Sequence, residues 1–268
     1  MANYRMAAKQ TLERVHVGKP LVHSITNYVV MNSTANVLLA MGASPIMAHA
    51  PEEVEELVKI SNCLVINIGT LSRHWIDSMI LAVKAAEANG KPYVLDPVGA
   101  GATKLRTDTA QSLIREAKPS VIRGNASEIL ALSPNGGVTR GVDSVHTVEQ
   151  AIDAAREIAL SLGTVIAVTG EKDLVTDGNV TLVVSGGHPL MSCVTGTGCA
   201  ATVVIGAFVA CEQDPVMAAA TALAFFGLAA EKAARSADAP GSFWCAVLDS
   251  LYTITPDELS DSVRIERA

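Results

Sequence analysis

The feature that most constrains the fold is a regular alternation of short, continuously apolar runs with longer segments of helical pattern. Such runs are typical of strands buried on both faces of a mostly parallel sheet, because each face packs against helices. Six runs are predicted to be strands: Leu21–His23, Ser44–Met47, Leu64–Ile68, Tyr93–Asp96, Val121–Arg123 and Val165–Thr169. Six segments are predicted to be helices: Asn27–Met41, Pro51–Ile60, Ser72–Asn89, Thr107–Ala117, Ser127–Ala131 and Thr147–Leu162. The alternation predicts an α/β fold of three layers, α/β/α.

The last third of the chain departs from this alternation. Asp177-Gly178-Asn179 lies between the apolar runs Leu174–Thr176 and Val180–Ser185, which predicts a hairpin and hence an antiparallel edge on the sheet. Three further helices are predicted at Gly198–Cys211, Pro215–Arg235 and Ser242–Leu251. Because the chain has 268 residues and no linker or internal repeat, we expect a single domain over residues 1–268.

Composition narrows the class of protein. Hydrophobic residues make up 49% of the chain and charged residues 18%, which predicts a large buried core. The net charge of −7 disfavours a nucleic-acid-binding surface. The apolar run Ala218–Ala230 is too short to span a membrane, and Met1–Gln10 lacks the apolar core of a signal peptide. Five scattered cysteines form no metal-site spacing, so we expect reduced thiols and a cytoplasmic protein without membrane contact.

Polar or glycine-rich sequence follows four of the predicted strands. These segments are Asn67–Thr70, Asp96–Ala102, Arg123–Asn125 and Thr169–Glu171. Ligands of open α/β sheets bind outside the carboxyl ends of the strands. The repetition therefore predicts one ligand crevice along one edge of the sheet.

The segment Thr195-Gly-Thr-Gly-Cys-Ala200 runs directly into a predicted helix. Its glycines permit close approach of a ligand, and a helix N-terminus attracts anions through its dipole and unpaired N–H groups. The alternative is a glycine-containing helix start that only permits close packing. The segment also matches a dinucleotide fingerprint, but no further strand follows it, and the chain has no Walker-type phosphate loop. Together with Asp96, an anion site here indicates phosphoryl transfer from a nucleotide.

Cys199 has three interpretations: a small buried side chain, a nucleophile, or a base. A helix N-terminus lowers the pKa of a thiol, so we expect an accessible thiolate. No histidine is placed beside Cys199 by the sequence, which favours a base or a group that orients a hydroxyl over a covalent nucleophile.

Asp96, Glu128 and Arg123 each have a structural and a functional interpretation. Asp96 can cap the turn that follows it, and Asn125-Ala-Ser-Glu128 is a capping-box pattern. Alternatively, the two carboxylates form a pair that holds Mg²⁺, mostly through water. Arg123 can bind a phosphate, or it can form a salt bridge with Asp96 or Glu128.

Two N-terminal segments, around Asn27 and Met47, each adjoin a predicted helix. Asn27 can be an N-cap and Met47 a core residue. Together they can instead line a small, partly apolar pocket with one amide that orients the ligand.

The chain resembles the hydroxyethylthiazole kinase family of the ribokinase-like superfamily. The resemblance covers nearly the whole chain and rests on these segments: His23-Ser-Ile-Thr-Asn-Tyr-Val-Val, Gly42-Ala-Ser-Pro-Ile-Met, Asn67-Ile-Gly-Thr-Leu, Leu95-Asp-Pro-Val-Gly-Ala-Gly-Ala, Ile122-Arg-Gly-Asn-Ala-Ser-Glu, Val168-Thr-Gly-Glu-Lys-Asp and Thr195-Gly-Thr-Gly-Cys. Cys199 sharpens it, because related vitamin kinases usually carry Asp there.

The resemblance implies a ribokinase-like fold and ATP-dependent phosphorylation of 4-methyl-5-(2-hydroxyethyl)thiazole in thiamine biosynthesis and salvage. It implies a homotrimer with substrate sites at the subunit interfaces, and Mg²⁺ as the metal. By the same resemblance the site residues divide into four groups: Asn27, Met47 and Gly196 on the thiazole, Arg123 and Thr169 on ATP, Asp96 and Glu128 on the metal, and Thr197, Gly198 and Cys199 in catalysis, with Cys199 at the position of the base.

Three rival functions remain open at this point: a kinase for another alcohol, such as hydroxymethylpyrimidine or pyridoxal, an ATP-dependent dehydratase on the same fold, and a binding protein without catalysis. The dehydratase should carry Asp where Cys199 stands, and a binding protein should have lost some of the polar site residues.

Overall fold

The computed structural model describes residues 2–133 and 148–268 of the chain. Within them, nine strands form one sheet in the spatial order β2-β1-β3-β4-β5-β6-β7-β8-β9. The strands are β1 (Leu21–Ile25), β2 (Ser44–Ile46), β3 (Cys63–Asn67), β4 (Tyr93–Asp96), β5 (Val121–Gly124), β6 (Val165–Val168), β7 (Asp173–Thr176), β8 (Thr181–Val184) and β9 (Ile265–Arg267). β1 to β6 pair in parallel and β6 to β9 pair antiparallel, which confirms the mostly parallel sheet and the edge hairpin.

Helices cover both faces of the sheet. They are α1 (Ala2–Gly18), α2 (Met31–Ala40), α3 (Val54–Ile60), α4 (Arg73–Ala88), α5 (Lys104–Glu116), α6 (Ala126–Leu130), α7 (Val148–Leu162), α8 (Thr197–Val209), α9 (Pro215–Ala233), α10 (Pro240–Thr253) and α11 (Pro256–Ser262). α2, α8 and α9 lie against one face, with α1, α10 and α11 packed outside them. α3 to α7 cover the other face, which confirms the three-layer architecture.

The strands alternate side chains between two hydrophobic clusters, as the pleat requires. On β3, Cys63 and Val65 face α8, whereas Leu64 and Ile66 face the α4 side. α8 packs closely on the sheet, because a Cβ atom added at Gly206 would lie only 2.5 Å from Cγ2 of Val65. The absence of a side chain at Gly206 therefore lets α8, and with it the N-terminus of α8, lie close to the strands.

The helix predicted to start at Asn27 starts at Met31 instead, so that prediction is wrong by four residues. The other predicted boundaries agree within three residues, and Thr147 lies outside the described residues. Three elements were not predicted: α1, α11 and β9. α1 does bury Ala8, Leu12 and Val15 at helical spacing, whereas the three residues of β9 are too few to show a period.

One helix in the described part of the chain, α9, is long and apolar enough to cross a membrane by length and composition. It is longer than the apolar run noted in the sequence, since it begins at Pro215 and ends at Ala233. Most of it is buried against β6, β7, β8 and the neighbouring helices, as in the core helix of a globular domain.

Candidate active site

Three polar residues end their strands on the face that carries α8. Asn67, Asp96 and Arg123 continue the alternation of Val65, Val94 and Val121, and Asn67 lies directly opposite Asp96 in the parallel register. Thr169 follows β6 at the same edge. The N-terminus of α8 lies over these strand ends, because Thr202 in its second turn contacts Asp96. The predicted polar residues therefore meet at one end of the sheet, on the face that carries α8, and the ligand crevice there stays a prediction.

Asp96 is fully buried, and its two carboxylate oxygens have different surroundings. Oδ2 accepts hydrogen bonds from Thr202 Oγ1 at 2.8 Å and from Asn67 Nδ2 at 2.9 Å, whereas Oδ1 has no partner among the described residues. Burial raises the pKa of Asp96 to about 6 and the Arg123 cation opposes the rise, so the carboxylate is mostly ionised at neutral pH. No backbone N–H of the following turn is among its partners, so the turn-cap interpretation is wrong.

Arg123 is nearly buried between Asp96, Thr169 and α8. Its Nη2 donates to Thr169 Oγ1, and its Nη1 lies 3.7 Å from Asp96 Oδ2, which confirms the alternative of an ion pair with Asp96. A Cβ atom added at Gly198 would lie 2.6 Å from Nη1. The buried Nε has no partner among the described residues. A guanidinium with unused donors beside a helix N-terminus is suited to a phosphate.

The N-terminus of α8 is formed by Gly196, whose φ of +86° is a left-handed conformation that favours glycine. No side chain caps this helix in the structure, so the N–H groups of its first turn are available to a ligand. The hydroxyl of Thr197 does not donate to a ligand at this N-terminus, because its proton goes to the carbonyl of Met191 at 3.0 Å. Met191 lies in the short 3-10 helix Pro189–Cys193.

Cys199 lies half-buried in the first turn of α8, with its Sγ 3.6 Å from Asn27 Nδ2. The expectation of a lowered pKa is wrong. Burial and the negative charge of Asp96 raise the pKa of the thiol to about 11, although hydrogen bonds from Asn67 and Asn27 and the charge of Arg123 oppose the rise. The side chain is therefore a neutral thiol at neutral pH, which disfavours both the base and the nucleophile.

Asn27 is buried in the loop between β1 and α2. It is not an N-cap, because α2 is preceded by Val30 and has no side-chain cap. Its Oδ1 accepts from the N–H of Val29 at 3.0 Å, and its Nδ2 donates to Asn67 Oδ1 at 2.9 Å. The side-chain amide of Asn27 thus lies next to both Asn67 and Cys199.

Met47 directly follows β2 and is half-buried, so it is not part of the core. His23 of β1 donates from Nε2 to the carbonyl of Ala48 at 2.8 Å, which ties this segment to the neighbouring strand. None of the described contacts joins Met47 to Cys199 or Asn27, so its place in a substrate pocket stays a prediction.

Glu128 forms the predicted capping box with Asn125, with both bonds at 2.9 Å. Its other oxygen, Oε1, accepts from the N–H of Gly99 at 2.8 Å in the loop after β4. Glu128 is nevertheless near enough to Asp96 to raise the pKa of Asp96 by its charge. The structural interpretation of Glu128 is confirmed, and a metal role can use only its remaining lone pairs.

The described residues contain no group of three His, Cys, Asp or Glu side chains able to hold a metal. One carboxylate with an unpartnered oxygen and a second one nearby do fit Mg²⁺, which keeps most of its waters and takes its other ligands from phosphates.

Two residues of this site were not predicted, Asn67 and Thr202. Asn67 begins the segment Asn67–Thr70 of the predicted crevice, but no role was predicted for it, because its partner depends on the register with β4. Thr202 follows Cys199 by three residues, so helical spacing places both on the same side of α8.

Comparison with known proteins places the whole chain in one group. The model of the hydroxyethylthiazole kinase family matches residues 12–257. A protein named hydroxyethylthiazole kinase from Desulfotalea psychrophila is 53% identical over 268 residues, which is 100% of this chain and 98% of that protein.

Solved structures agree with the sequence comparison. The structure of a hydroxyethylthiazole kinase protein from Pyrococcus horikoshii has a TM-score of 0.90 and 44% identity, and the match covers 97% of this chain and 98% of that one. A pyridoxal kinase from Staphylococcus aureus in complex with pyridoxal has a TM-score of 0.66 over 93% and 98% of the two chains. At 16% identity this last likeness shows the fold alone, and it confirms the ribokinase-like fold.

Proposed function

The chain belongs to the hydroxyethylthiazole kinase family, and on that premise we propose that it uses ATP to phosphorylate the hydroxyl of 4-methyl-5-(2-hydroxyethyl)thiazole, in thiamine biosynthesis and salvage. The observation that carries the proposal is the meeting of an uncapped helix N-terminus with Asp96 and Arg123 at one end of the sheet. Phosphoryl transfer depends on alignment and charge neutralisation, and this arrangement supplies both.

ATP is proposed to bind at the Arg123 side of the crevice. Arg123 contacts its phosphates and Thr169 fixes the guanidinium through the bond to Nη2. The N–H groups of Gly198 and Cys199 hold the oxygens of the phosphoryl group during transfer, because they are directed along the axis of α8 toward negative charge.

The thiazole alcohol is proposed to bind at the Asn27 side, with Met47 and Gly196 as further contacts. Asn27 Nδ2 and Cys199 Sγ lie 3.6 Å apart, and the two groups are proposed to orient the hydroxyl toward the phosphoryl group together. Since the pKa of Cys199 is about 11, its proposed role is orientation rather than removal of the proton. A loose transition state makes a strong base unnecessary.

Magnesium is proposed to be held by Asp96 and Glu128, mostly through water. Bound there, the ion neutralises charge on the phosphates. Asp96 offers its unpartnered Oδ1, and Glu128 holds the loop after β4 through the bond to Gly99.

Three further features are proposed with this activity. The described residues share one sheet, which supports a single kinase domain over residues 1–268. A homotrimer with sites at its interfaces is supported by Tyr28 and Val29, both 63% exposed beside Asn27. All five cysteines are free, which supports a cytoplasmic location.

The test is ADP release with the thiazole alcohol, with hydroxymethylpyrimidine and with pyridoxal, each with and without Mg²⁺. We expect turnover with the thiazole alcohol that requires Mg²⁺. Arg123→Ala should raise the KM for ATP or lower kcat, since one charge-assisted contact contributes about 1.5–3 kcal/mol. Arg115→Ala, on the exposed last turn of α5, is the matched control and should behave as the parent. Preference for another alcohol, or no turnover with any of them, would overturn the proposed substrate.

A further inference from the structure

Asn67 lies between the proposed ATP side of the candidate site, at Arg123, and the proposed alcohol side, at Asn27. It is 2% exposed, ends β3 and lies beside Asp96 in the sheet. Its Nδ2 donates to Asp96 Oδ2 at 2.9 Å. Its Oδ1 accepts from Asn27 Nδ2 and from the N–H of Gly69, both at 2.9 Å. One side-chain amide therefore contacts the carboxylate on the phosphate side and the amide on the alcohol side.

The orientation of this amide is set by its neighbours. A carboxylate can only accept hydrogen bonds, so Nδ2 must face Asp96. The N–H groups of Gly69 and Asn27 can only donate, so Oδ1 must face them. Rotating the amide by 180° would place oxygen against carboxylate and lose these bonds at once. A buried amide with its donor and its acceptor side both satisfied is rigid.

The consequences reach both substrates. With Asn67 and Thr202 both on Oδ2, the carboxylate of Asp96 is held with Oδ1 as its unpartnered oxygen. Asn27 is held by the bond to Asn67 at one side and by the N–H of Val29 at the other, and this leaves its Nδ2 close to Cys199 Sγ. Asn27 packs directly against Gly69, since a Cβ atom at Gly69 would lie 2.6 Å from Asn27 Nδ2 and displace that side chain.

We propose that Asn67 is a positioning residue that sets the distance between the alcohol and the phosphoryl group by holding Asn27 and Asp96 at once. This inference rests on the proposed kinase activity and deepens it. Asn67 acts through the side chains that it holds, Asn27 and Asp96, and it also lies close enough to Cys199 to lower the pKa of that thiol by a hydrogen bond.

The test compares Asn67→Leu, of similar size, with Asn62→Leu. Asn62 precedes the same strand at its opposite end, where its Oδ1 accepts from the N–H of Leu21 at 2.8 Å. For Asn67→Leu we expect kcat to fall about 10–100-fold, because misplacement of about 1 Å costs rates of this order. We also expect the KM for the thiazole alcohol to rise a few-fold. Asn62→Leu should keep the parental kcat and KM.

A double-mutant cycle separates positioning from a merely structural role. Asn27→Ala should raise the KM for the alcohol in the parent and raise it much less in the Asn67→Leu background, because Asn27 is already misplaced there. Equal effects of Asn27→Ala in both backgrounds, or a parental kcat in Asn67→Leu, would overturn the inference. If Asn67→Leu does not fold, Asn67→Ser is measured in the same cycle with the same criteria. Absence of turnover in the parent itself would instead count against the proposed function.

Discussion

The two faces of the sheet differ in the size of their side chains and in what lies at their carboxyl ends. The face toward α8 presents small residues, namely Val22, Cys63, Val65, Val94, Val121 and Ala167. The face toward α4 presents larger ones, namely Ile25, Leu64, Ile66, Tyr93, Leu95 and Ile122. Only the first face continues into the polar cluster of Asn67, Asp96 and Arg123.

Close packing of α8 and the position of the candidate site are therefore linked in this fold. Small side chains let α8 approach the sheet, and this approach places its N-terminus over the strand ends. The strand residues that face α4 are larger, and none of them belongs to the polar cluster of Asn67, Asp96 and Arg123. Substitutions on the two faces should therefore have different ratios of lost activity to lost stability.

The largest effect is expected for Gly198→Val, at the N-terminus of α8. Its Cβ would lie 2.6 Å from Arg123 Nη1, so the guanidinium must move, and the side chain covers the N–H groups. We expect kcat to fall about 10³-fold, the upper range for loss of one preorganised donor. Gly241→Val in α10, where a Cβ meets nothing within 4 Å, is the control. Steady-state kinetics on folded protein would contradict this expectation if both variants matched the parent.

The next largest effect is expected for two adjacent residues of β4, one on each face of the sheet. Leu95→Ala, on the α4 face, should lower the free energy of unfolding by about 2–5 kcal/mol while folded molecules keep the parental kcat. Val94→Ala, on the α8 face, should cost less stability but lower kcat several-fold, because the cavity lets α8 shift. Urea unfolding and kinetics of both variants give the two ratios, and identical ratios would refute the division between the faces.

Gly206→Ala tests the close approach of α8 directly. In most helices this change stabilises by about 1 kcal/mol. Here the added Cβ would lie 2.5 Å from Val65 Cγ2, so we expect destabilisation of about 1–3 kcal/mol. Adding Val65→Ala should recover much of this loss. A stabilised Gly206→Ala protein in urea unfolding would show that α8 has room to move.

The smallest effect is expected for Cys199→Ala. With a pKa of about 11, only about one thiol in ten thousand is ionised at pH 7, so little base catalysis can be lost. We expect kcat to fall less than about tenfold. A thiolate base would make the parental rate rise with pH toward 11; we expect no such rise between about pH 7 and 9. A rise that disappears in Cys199→Ala would restore the base.

The fold was largely predictable, because the signals that define it are local. Buried parallel strands are continuous apolar runs, and Asp177-Gly178-Asn179 marks the hairpin. The site edge was predictable for the same reason, since Asp96 and Arg123 end such runs. Glu128 satisfied its capping pattern because a capping box needs only residues of one turn.

What failed depends on contacts distant in sequence. Asn27 was assigned to a helix, but its side chain bonds with Asn67, forty residues away. The pKa of Cys199 was expected to be lowered by its own helix, but burial and Asp96 raise it. Asn67 was placed in the predicted crevice by its position at a strand end, but its role was not predicted, because only the register between β3 and β4 places it against Asp96.

The two outermost strands of the sheet limit how copies of this protein can associate. β2 and β9 are each three residues long. β2 contains Pro45, which has no N–H to donate, and β9 contains the charged and exposed Glu266 and Arg267. Short, proline-containing or charged edges do not template another strand. Growth of the described sheet from molecule to molecule, the usual route to β-aggregates, is therefore disfavoured at both margins.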